Sequence, residues 1–317
     1  MNIEQTQATA VMHEIEEAVL SAFVGDRSVV QLALIGLFGS LHVLIEDIPG
    51  LGKTTLALAL ARSAGLSFSR IQCTPDLLPA DVLGLSVWDS NQRQFVFKGG
   101  PILANFVLAD ELNRASPRTQ SAFLEALQEG AISVDGTTMP LPEPFFMVAT
   151  QNPQNFIGTF PLPEAELDRF GLCFSIGYPS IEHEKTILER NEVSTPVLSV
   201  PRVANPEMVA TIRNLVRTVH ISEPIRQYIM EIVRSTRTAG DIKLGASPRS
   251  GIYLQQAAKA RALYEGRNFV LPEDVEALAK PVLAHRLVLA SQSRMAGKQA
   301  GALVAELVSR IRKPTGL

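Results

Sequence analysis

Residues 47–55 have the sequence Asp47-Ile48-Pro49-Gly50-Leu51-Gly52-Lys53-Thr54-Thr55, between the apolar run His42–Ile45 and a helical pattern over Thr54–Ala64. An apolar strand, a glycine-containing loop and a helix that opens on Lys-Thr form the setting that a phosphate-binding loop requires. In this setting the backbone N–H groups of the loop and the helix N-terminus converge on phosphate oxygens. The stretch therefore predicts a nucleotide site at the end of a strand in an α/β fold.

The loop residues have separate predicted roles. Gly50 and Gly52 let the backbone approach the β- and γ-phosphates, and Lys53 neutralises phosphate charge. The Thr54 hydroxyl is the predicted loop ligand of Mg²⁺. The predicted nucleotide contacts of the loop are Pro49, Gly50, Leu51, Gly52, Lys53, Thr54 and Thr55.

One position departs from the usual pattern G-x-x-x-x-G-K-[ST], which begins with glycine. This chain has Asp47 there. Aspartate tolerates left-handed backbone geometry better than most residues. We therefore expect the turn to form.

Two further apolar strands run directly into polar residues. The first, Ile102–Ala109, is followed by Asp110, which we expect on the Mg²⁺ side, and by Glu111. In that position Glu111 can polarise the attacking water. The second strand, Phe145–Thr150, is followed closely by Asn152, whose neutral amide can hold the water in line with the phosphate. Together with the loop, these residues predict a site of nucleoside triphosphate hydrolysis.

The rhythm of strand, loop and helix predicts a parallel sheet with helices on both faces. Parallel sheets bind ligands at the carboxyl ends of their strands, which is where the polar residues occur. Two hairpins are predicted to interrupt the rhythm, one from Ser86–Trp88 and Gln94–Phe97, the other from Ala131–Val134 and Thr137–Leu141. In the second hairpin, Asp135-Gly136 is a favoured two-residue turn.

The chain becomes rich in proline, serine and valine over Ser194–Pro206, which predicts a linker. Beyond it the pattern is helical, with prolines at positions that suit helix starts. The predicted helices are Pro206–Val219, Glu223–Thr236, Pro248–Tyr264, Pro272–Leu289 and Gly301–Ile311. We therefore expect an αβα core over residues 1–190 and an all-helical domain over residues 191–317.

The composition is that of a globular protein: 46% of the 317 residues are hydrophobic and 19% are charged. The N-terminus carries acidic residues where a signal peptide needs a basic start. The most apolar stretch is broken by Gly36, Gly39 and His42, so we expect no membrane span. Cys73 and Cys173 are expected to be unpaired thiols, which predicts a reducing compartment and a cytoplasmic location.

The charge is distributed unevenly along the chain. Residues 1–200 contain 11 basic and 23 acidic residues, a balance of −12, whereas residues 201–317 contain 18 basic and 9 acidic residues, a balance of +9. This asymmetry is compatible with a nucleic-acid surface on the second half. It is equally compatible with contact between the two halves, within a chain or between chains.

The motifs occur in an order that resembles the MoxR family of AAA+ ATPases. After the phosphate loop come Val-Leu-Ala-Asp-Glu-Leu-Asn-Arg at 107–114, Ala-Thr-Gln-Asn-Pro at 149–153, Pro-Leu-Pro-Glu-Ala-Glu-Leu-Asp-Arg-Phe at 161–170 and Gly-Ala-Ser-Pro-Arg at 245–249. The resemblance runs from about Val24 to Arg286. It implies an αβα core with an all-helical lid, ATP and Mg²⁺ as ligands, a ring that is usually hexameric, and a partner with a von Willebrand factor A domain.

The same resemblance implies roles for individual residues. Asn152 resembles the first sensor of the family, and Arg249 resembles the second sensor, which contacts the γ-phosphate from the lid. Val24 and Gly25 resemble the strip that contacts adenine ahead of the phosphate loop.

Arg169 resembles the arginine finger, which reaches the nucleotide of a neighbouring subunit. A planar guanidinium that is always charged suits the charge on a transferring phosphoryl group. The alternative for Arg169 is an ion pair with Asp168 or Glu166, of the kind common on protein surfaces.

Because the same motor core serves different substrates, several functions remain open. The resemblance implies a chaperone-like remodeller of partner proteins, and a chelatase-like motor subunit that drives metal insertion is the alternative. A DNA or RNA translocase is less favoured, since Ser86–Phe97 and Ile132–Leu141 contain only Arg93 as a basic residue. A nucleotide switch without turnover is disfavoured by Glu111 in the position of the base.

Overall fold

The computed structural model describes residues 3–152, 159–193 and 196–314. The strands in this part of the chain are β1 Val43–Glu46, β2 Phe68–Gln72, β3 Gly84–Asp89, β4 Gln94–Gly99, β5 Phe106–Asp110, β6 Ala131–Val134, β7 Thr137–Pro140, β8 Phe146–Gln151, β9 Leu172–Phe174, β10 Ile242–Leu244 and β11 Val288–Leu289. The α-helices are α1 Ile3–Leu20, α2 Arg27–Phe38, α3 Lys53–Ser63, α4 Pro79–Leu83, α5 Pro117–Glu129, α6 Glu164–Leu167, α7 Ile181–Val193, α8 Pro206–Thr218, α9 Glu223–Thr238, α10 Pro248–Tyr264, α11 Pro272–Leu283, α12 Ser291–Met295 and α13 Ala300–Arg310.

The predicted parallel sheet is confirmed. Its five strands lie in the order β2-β5-β8-β1-β9, and each neighbouring pair is parallel. β5 is buried along its whole length, as expected of a strand covered on both faces. The carboxyl ends of β1, β5 and β8 are therefore adjacent, which brings the phosphate loop, the Asp110-Glu111 pair and Asn152 to one edge of the sheet.

Both predicted hairpins form. β3 pairs with β4 and β6 pairs with β7, each in antiparallel register. Asp135 and Gly136 both have positive φ, at 51° and 77°, which fits the two-residue turn that their sequence predicts. In the first hairpin Trp88 packs edge-on against Phe95 with ring centroids 5.3 Å apart, yet the two side chains remain 52% and 70% exposed.

The C-terminal part is helical, and α10 and α11 begin at the predicted prolines, Pro248 and Pro272. The predicted helix Pro272–Leu289, however, ends at Leu283. The residues after it form a 3-10 turn and β11, which pairs with β10. The reason is a non-local contact, Ile242 opposite Leu289, which periodicity along the chain does not reveal.

The N-terminal helices pack against the C-terminal helices. Glu16 on α1 accepts a hydrogen bond from the Tyr264 hydroxyl on α10 at 2.6 Å, and that hydroxyl accepts one from Gln31 on α2 at 3.0 Å. The division at residue 190 stays a prediction, and α7 runs through that position. Of the predicted linker, residues 194 and 195 lie outside the described residues.

Two smaller expectations concern thiols and membrane spans. Both cysteines are unpaired, Cys73 buried and Cys173 half-buried, as predicted. None of the helices in the described ranges combines the length and apolar character needed to cross a bilayer.

Candidate nucleotide site

The phosphate loop joins β1 to α3. Gly50 and Gly52 have φ of +89° and +84°, a left-handed conformation that glycine adopts without steric cost. Gly52 is the N-cap residue of α3, so Lys53 and Thr54 form its first turn. The unpaired N–H groups at this helix start face the loop and make it a site for anions.

Lys53 links the loop to the acidic residues of the sheet edge. Its buried Nζ donates hydrogen bonds to the carbonyl oxygens of Asp47 at 2.6 Å and Ile48 at 3.2 Å. Burial lowers the pKa of Lys53, and the negative charges of Asp47, Asp110 and Glu111 oppose that shift. The ammonium group therefore lies within the electrostatic field of both predicted acids.

The turn that we expected at Asp47 forms, but without a left-handed backbone at this residue. Positive φ occurs elsewhere, for example at Glu111, and Asp47 is not among the described residues that have it. The Asp47 carboxylate instead accepts N–H groups, from Ile48 on Oδ1 at 3.0 Å and from Ile176 and Gly177 on Oδ2, both at 2.8 Å. The side chain at this position thus forms contacts that glycine has no atoms to make.

Asp110 is buried at the end of β5 and held by two partners. Its Oδ2 accepts hydrogen bonds from Arg70 Nη2 at 2.6 Å and Nε at 3.2 Å, and its Oδ1 accepts one from the Thr150 hydroxyl at 2.7 Å. The motifs in the sequence do not predict Arg70 or Thr150. They become visible once the strand order is known, because β2 and β8 are the two neighbours of β5.

Glu111 follows Asp110 with φ 56° and ψ 48°, a left-handed conformation that is uncommon outside glycine. Its backbone N–H donates to the Thr150 hydroxyl at 2.8 Å, and its carboxylate Oε2 accepts from Arg114 at 2.9 Å. Backbone strain of this kind costs about 1–3 kcal/mol and clusters at functional sites. The observation supports a functional role for Glu111.

Asn152 lies directly after β8, beside the residues that follow Glu111. Its backbone carbonyl accepts a hydrogen bond from the Asn113 side chain at 3.1 Å. Asn113 is buried in the 3-10 turn Leu112–Arg114, which Glu111 caps. The predicted sensor and the predicted base are therefore tied together through Asn113, a residue that the motifs did not single out.

A cavity of about 1370 Å³ opens beside the phosphate loop. Among the predicted contacts, those that line it are Val24, Gly25, Pro49, Gly50, Leu51, Gly52 and Thr55. A Cβ on Gly25 would lie 2.7 Å from the ring of Phe23, and one on Gly52 would lie 3.4 Å from it. The buried Phe23 ring thus lies against both Gly25 and the phosphate loop. Contact of the Val24-Gly25 strip with the base stays a prediction.

Arg169 and Arg249 do not line this cavity. Asp168, which precedes Arg169, is paired with Arg286 at 2.9 Å, and Arg169 forms no ion pair within the described part of the chain. Burial raises the pKa of Tyr253, and the positive charges of Arg249, Arg286 and Arg169 oppose that shift. Arg169 is half-buried and Arg249 is exposed, so both are accessible from outside this cavity.

The donor set fits Mg²⁺. In the described residues no group of three or more histidine, cysteine or acidic side chains could hold a metal by itself. Mg²⁺ in nucleotide sites takes one or two carboxylates, the substrate phosphates and several waters, so it needs no such group. Thr54 and Asp110 would hold it. Asp110 Oδ1 accepts one hydrogen bond, from Thr150, and keeps a second acceptor site, whereas Oδ2 already accepts two from Arg70.

Comparison with known proteins gives a consistent result. A model of the ATPase family associated with various cellular activities (AAA) matches residues 42–172, and a model of the AAA lid domain matches residues 234–307. The chain is 45% identical to the uncharacterized protein YeaC of Bacillus subtilis, over 94% of this chain and 93% of that one. It is 38% identical to Chaperone MoxR1 of Mycobacterium tuberculosis, over 88% and 77%. A crystal structure from Cytophaga hutchinsonii, provisionally described as an ATPase, superposes with a TM-score of 0.91 at 35% identity, covering 98% of this chain and 97% of that one.

Proposed function

The chain belongs to the MoxR family of AAA+ ATPases and is an ATP hydrolase, and on that premise we propose that it uses ATP hydrolysis to remodel or activate a partner protein. The observation that carries the proposal is the meeting of the phosphate loop, Asp110-Glu111 and Asn152 at one edge of the sheet. The name of MoxR1 as a chaperone supports the class of substrate.

In the proposed mechanism the glycines of the loop and Lys53 bind the β- and γ-phosphates. Thr54 and Asp110 would hold Mg²⁺, which would neutralise phosphate charge. Asn152 orients the attacking water, and Glu111 accepts its proton as the new bond between oxygen and the γ-phosphorus forms. The bond from the γ-phosphorus to the oxygen that bridges it to the β-phosphate breaks, and ADP leaves with that oxygen. The Arg114 contact uses only Oε2 of Glu111, so Oε1 can face the water.

We propose that Arg169 acts on the nucleotide of a neighbouring subunit in a hexameric ring, and that Arg249 contacts the γ-phosphate from the lid. Neither lines the cavity of its own chain; Arg169 is half-buried and Arg249 is exposed. A guanidinium supplied across an interface suits the charge that spreads over the transferring phosphoryl group. Head-to-tail contacts of this kind close into rings when the rotation permits.

The partner we propose is a protein, acting with or through a von Willebrand factor A domain. The exposed aromatic pair Trp88 and Phe95 offers an apolar surface for it. The same hairpin has two basic residues, Arg93 and Lys98, which is little positive charge for binding a strand of DNA or RNA. The cytoplasmic location stays a prediction.

The test is capture by a variant that binds ATP without turnover. With ATP present, Glu111→Gln should retain specific proteins, and the double variant Lys53→Ala/Glu111→Gln, which lacks the cation for phosphate, should release them. A purified captured protein should then stimulate the ATPase of the wild type. Stimulation that depends on a metal-inserting partner would favour the chelatase-like alternative, and stimulation by DNA alone would contradict protein remodelling.

A further inference from the structure

Asp47 occupies the position at which the usual phosphate loop has glycine, and it is the most connected residue of the loop start. Its carboxylate accepts three backbone N–H groups, those of Ile48, Ile176 and Gly177. Its own N–H donates to the Gln151 carbonyl on β8 at 3.1 Å, and its carbonyl accepts from Lys53. One side chain thus joins the loop to a distant part of the chain.

That distant part is a wall of the nucleotide cavity. Ile176 and Gly177 follow β9, the edge strand of the sheet, and lead through Tyr178 into α7. They line the cavity together with Tyr178 and His183. Because the phosphates bind at the loop, the rest of the cavity is left for the ribose and base. Asp47 therefore connects the phosphate end of the cavity to the wall beside its nucleoside end.

Asp47 places a negative charge beside the proposed phosphate site, so its carboxylate needs hydrogen-bond donors. A carboxylate near a triphosphate is electrostatically unfavourable unless its own hydrogen bonds satisfy it. Two donors at 2.8 Å on one oxygen are charge-assisted bonds, which are stronger than neutral ones. The N–H groups of Ile176 and Gly177 thus satisfy the carboxylate, and the same two hydrogen bonds fix the position of this wall.

We propose that Asp47 is a positioning residue for ATP, which holds the Ile176-Gly177 wall against the phosphate loop so that the nucleoside end of the cavity is formed before ATP binds. The proposal rests on the proposed nucleotide site. It has an unusual consequence. Asp47→Gly, which restores the usual phosphate-loop pattern, weakens ATP binding.

The experiment compares Asp47→Gly and Asp47→Asn with the wild type by ATP titration, steady-state kinetics and amide hydrogen exchange. For Asp47→Gly we expect the KM and the Kd for ATP to rise at least ~10-fold, the scale of one or two charged hydrogen bonds. The kcat at saturating ATP should stay within about twofold, because Asp47 acts on binding rather than on the transition state. The amides of Ile176 and Gly177 should exchange faster. Asp47→Asn keeps one acceptor oxygen, so its KM and Kd for ATP should lie between those of the wild type and those of Asp47→Gly.

Ser175→Ala is the matched control, because Ser175 lies in the same segment but donates to the Glu46 carbonyl rather than to the loop residue. It should leave ATP binding unchanged. ATP binding by Asp47→Gly that equals or exceeds that of the wild type would overturn the inference, as would unchanged exchange at Ile176 and Gly177. Lys53→Ala distinguishes a failure of this inference from a failure of the proposed nucleotide site. If Lys53→Ala still binds ATP, the proposed nucleotide site is wrong. If Lys53→Ala does not bind ATP but Asp47→Gly binds it as the wild type does, only the role of Asp47 is wrong.

Discussion

Glu111 is the residue at which strain, position and chemistry coincide. Its left-handed backbone directs the carboxylate from the end of β5, and its N–H is tied to the Thr150 hydroxyl that also holds Asp110. The residues that we propose for metal binding and proton abstraction are thus adjacent, and both are bound to the Thr150 hydroxyl. The two acids have different surroundings, since Asp110 is buried between Arg70 and Thr150, whereas Glu111 is half-buried and faces the edge of the sheet.

Glu111→Gln should retain ATP binding and lose turnover by at least ~100-fold, the scale for removing a positioned base. The measurement is ATP titration together with phosphate release. Asp135→Asn is a suitable control, since Asp135 has the same backbone conformation in an exposed hairpin turn away from the site. Turnover of Glu111→Gln at the wild-type level would contradict the mechanism.

Local motifs were sufficient to predict the residues that follow one strand in sequence, such as Lys53, Asp110 and Asn152. They were insufficient for residues whose role depends on which strands are neighbours. Arg70 reaches Asp110 from the adjacent strand, and its own sequence surroundings carry no motif. Asp47 shows the same limit, because its partners lie about 130 residues further along the chain.

At the scale of elements, the short helix α6 is attached to the C-terminal helices by one buried arginine. Arg286, whose side chain is 2% exposed, pairs with Asp168 and also donates to the carbonyl oxygens of Val282 and Phe170. Ser247, the N-cap residue of α10, donates to Asp168 as well, at 3.0 Å. This attachment fixes the turn that carries Arg169.

Arg286→Met should therefore lower the free energy of unfolding by about 3 kcal/mol, the lower end of the cost of breaking a buried pair from one side. Urea unfolding measures the change. Arg310→Met removes an exposed pair with Glu306 on α13 and should cost less than about 1 kcal/mol. Equal effects of the two substitutions would show that the Asp168–Arg286 contact is no more than a surface ion pair.

Elements specified by their local sequence were predicted well, and elements made by distant contacts were not. The Asp-Gly turn specifies its hairpin, and proline at the first turn specifies the start of α10 and α11. The pair of β10 and β11 forms between residues 242 and 289, and neither strand is long enough to show a period of two. α7, which lines the cavity, was missed because its polar pattern over residues 181–193 has a weak apolar face.

At the scale of the whole molecule, we expect Arg169 to contribute to hydrolysis but not to ATP binding. Arg169→Ala should bind ATP normally and lose hydrolysis, because the nucleotide it serves is bound by the neighbour. Lys53→Ala has the opposite defect: it keeps Arg169 but should not bind ATP. In an equal mixture, heterologous contacts that pair an intact loop with an intact finger should restore up to about a quarter of wild-type turnover. A mixture no more active than its components, measured by phosphate release, would assign Arg169 a role within its own chain.

The uneven charge of the chain bears on how subunits meet. The Arg70–Asp110 pair lies within residues 1–200, and the Arg267–Asp274 pair lies within residues 201–317. The Asp168–Arg286 pair links these two halves. Pairs within one half leave its net charge unchanged. The surplus of −12 in residues 1–200 and +9 in residues 201–317 therefore remains for other contacts, less the one charge of each sign in the Asp168–Arg286 pair. We hypothesise that the basic half of one subunit docks on the acidic half of the next, head to tail.

Opposite fields of this kind speed and orient docking more than they tighten it. Salt screens exposed charges beyond about 8 Å at physiological ionic strength, so the ring should dissociate as salt rises while each subunit stays folded. Sedimentation with ATP at low and high salt measures the assembly, and circular dichroism on the same samples checks the fold. The rival explanation is that the basic half faces a nucleic acid, in which case salt would release added DNA and leave the ring intact. The docking hypothesis is refuted if the assembly does not change with salt while the chain binds DNA tightly and in a salt-sensitive manner. A nucleic-acid translocase would then be the better account of the charge.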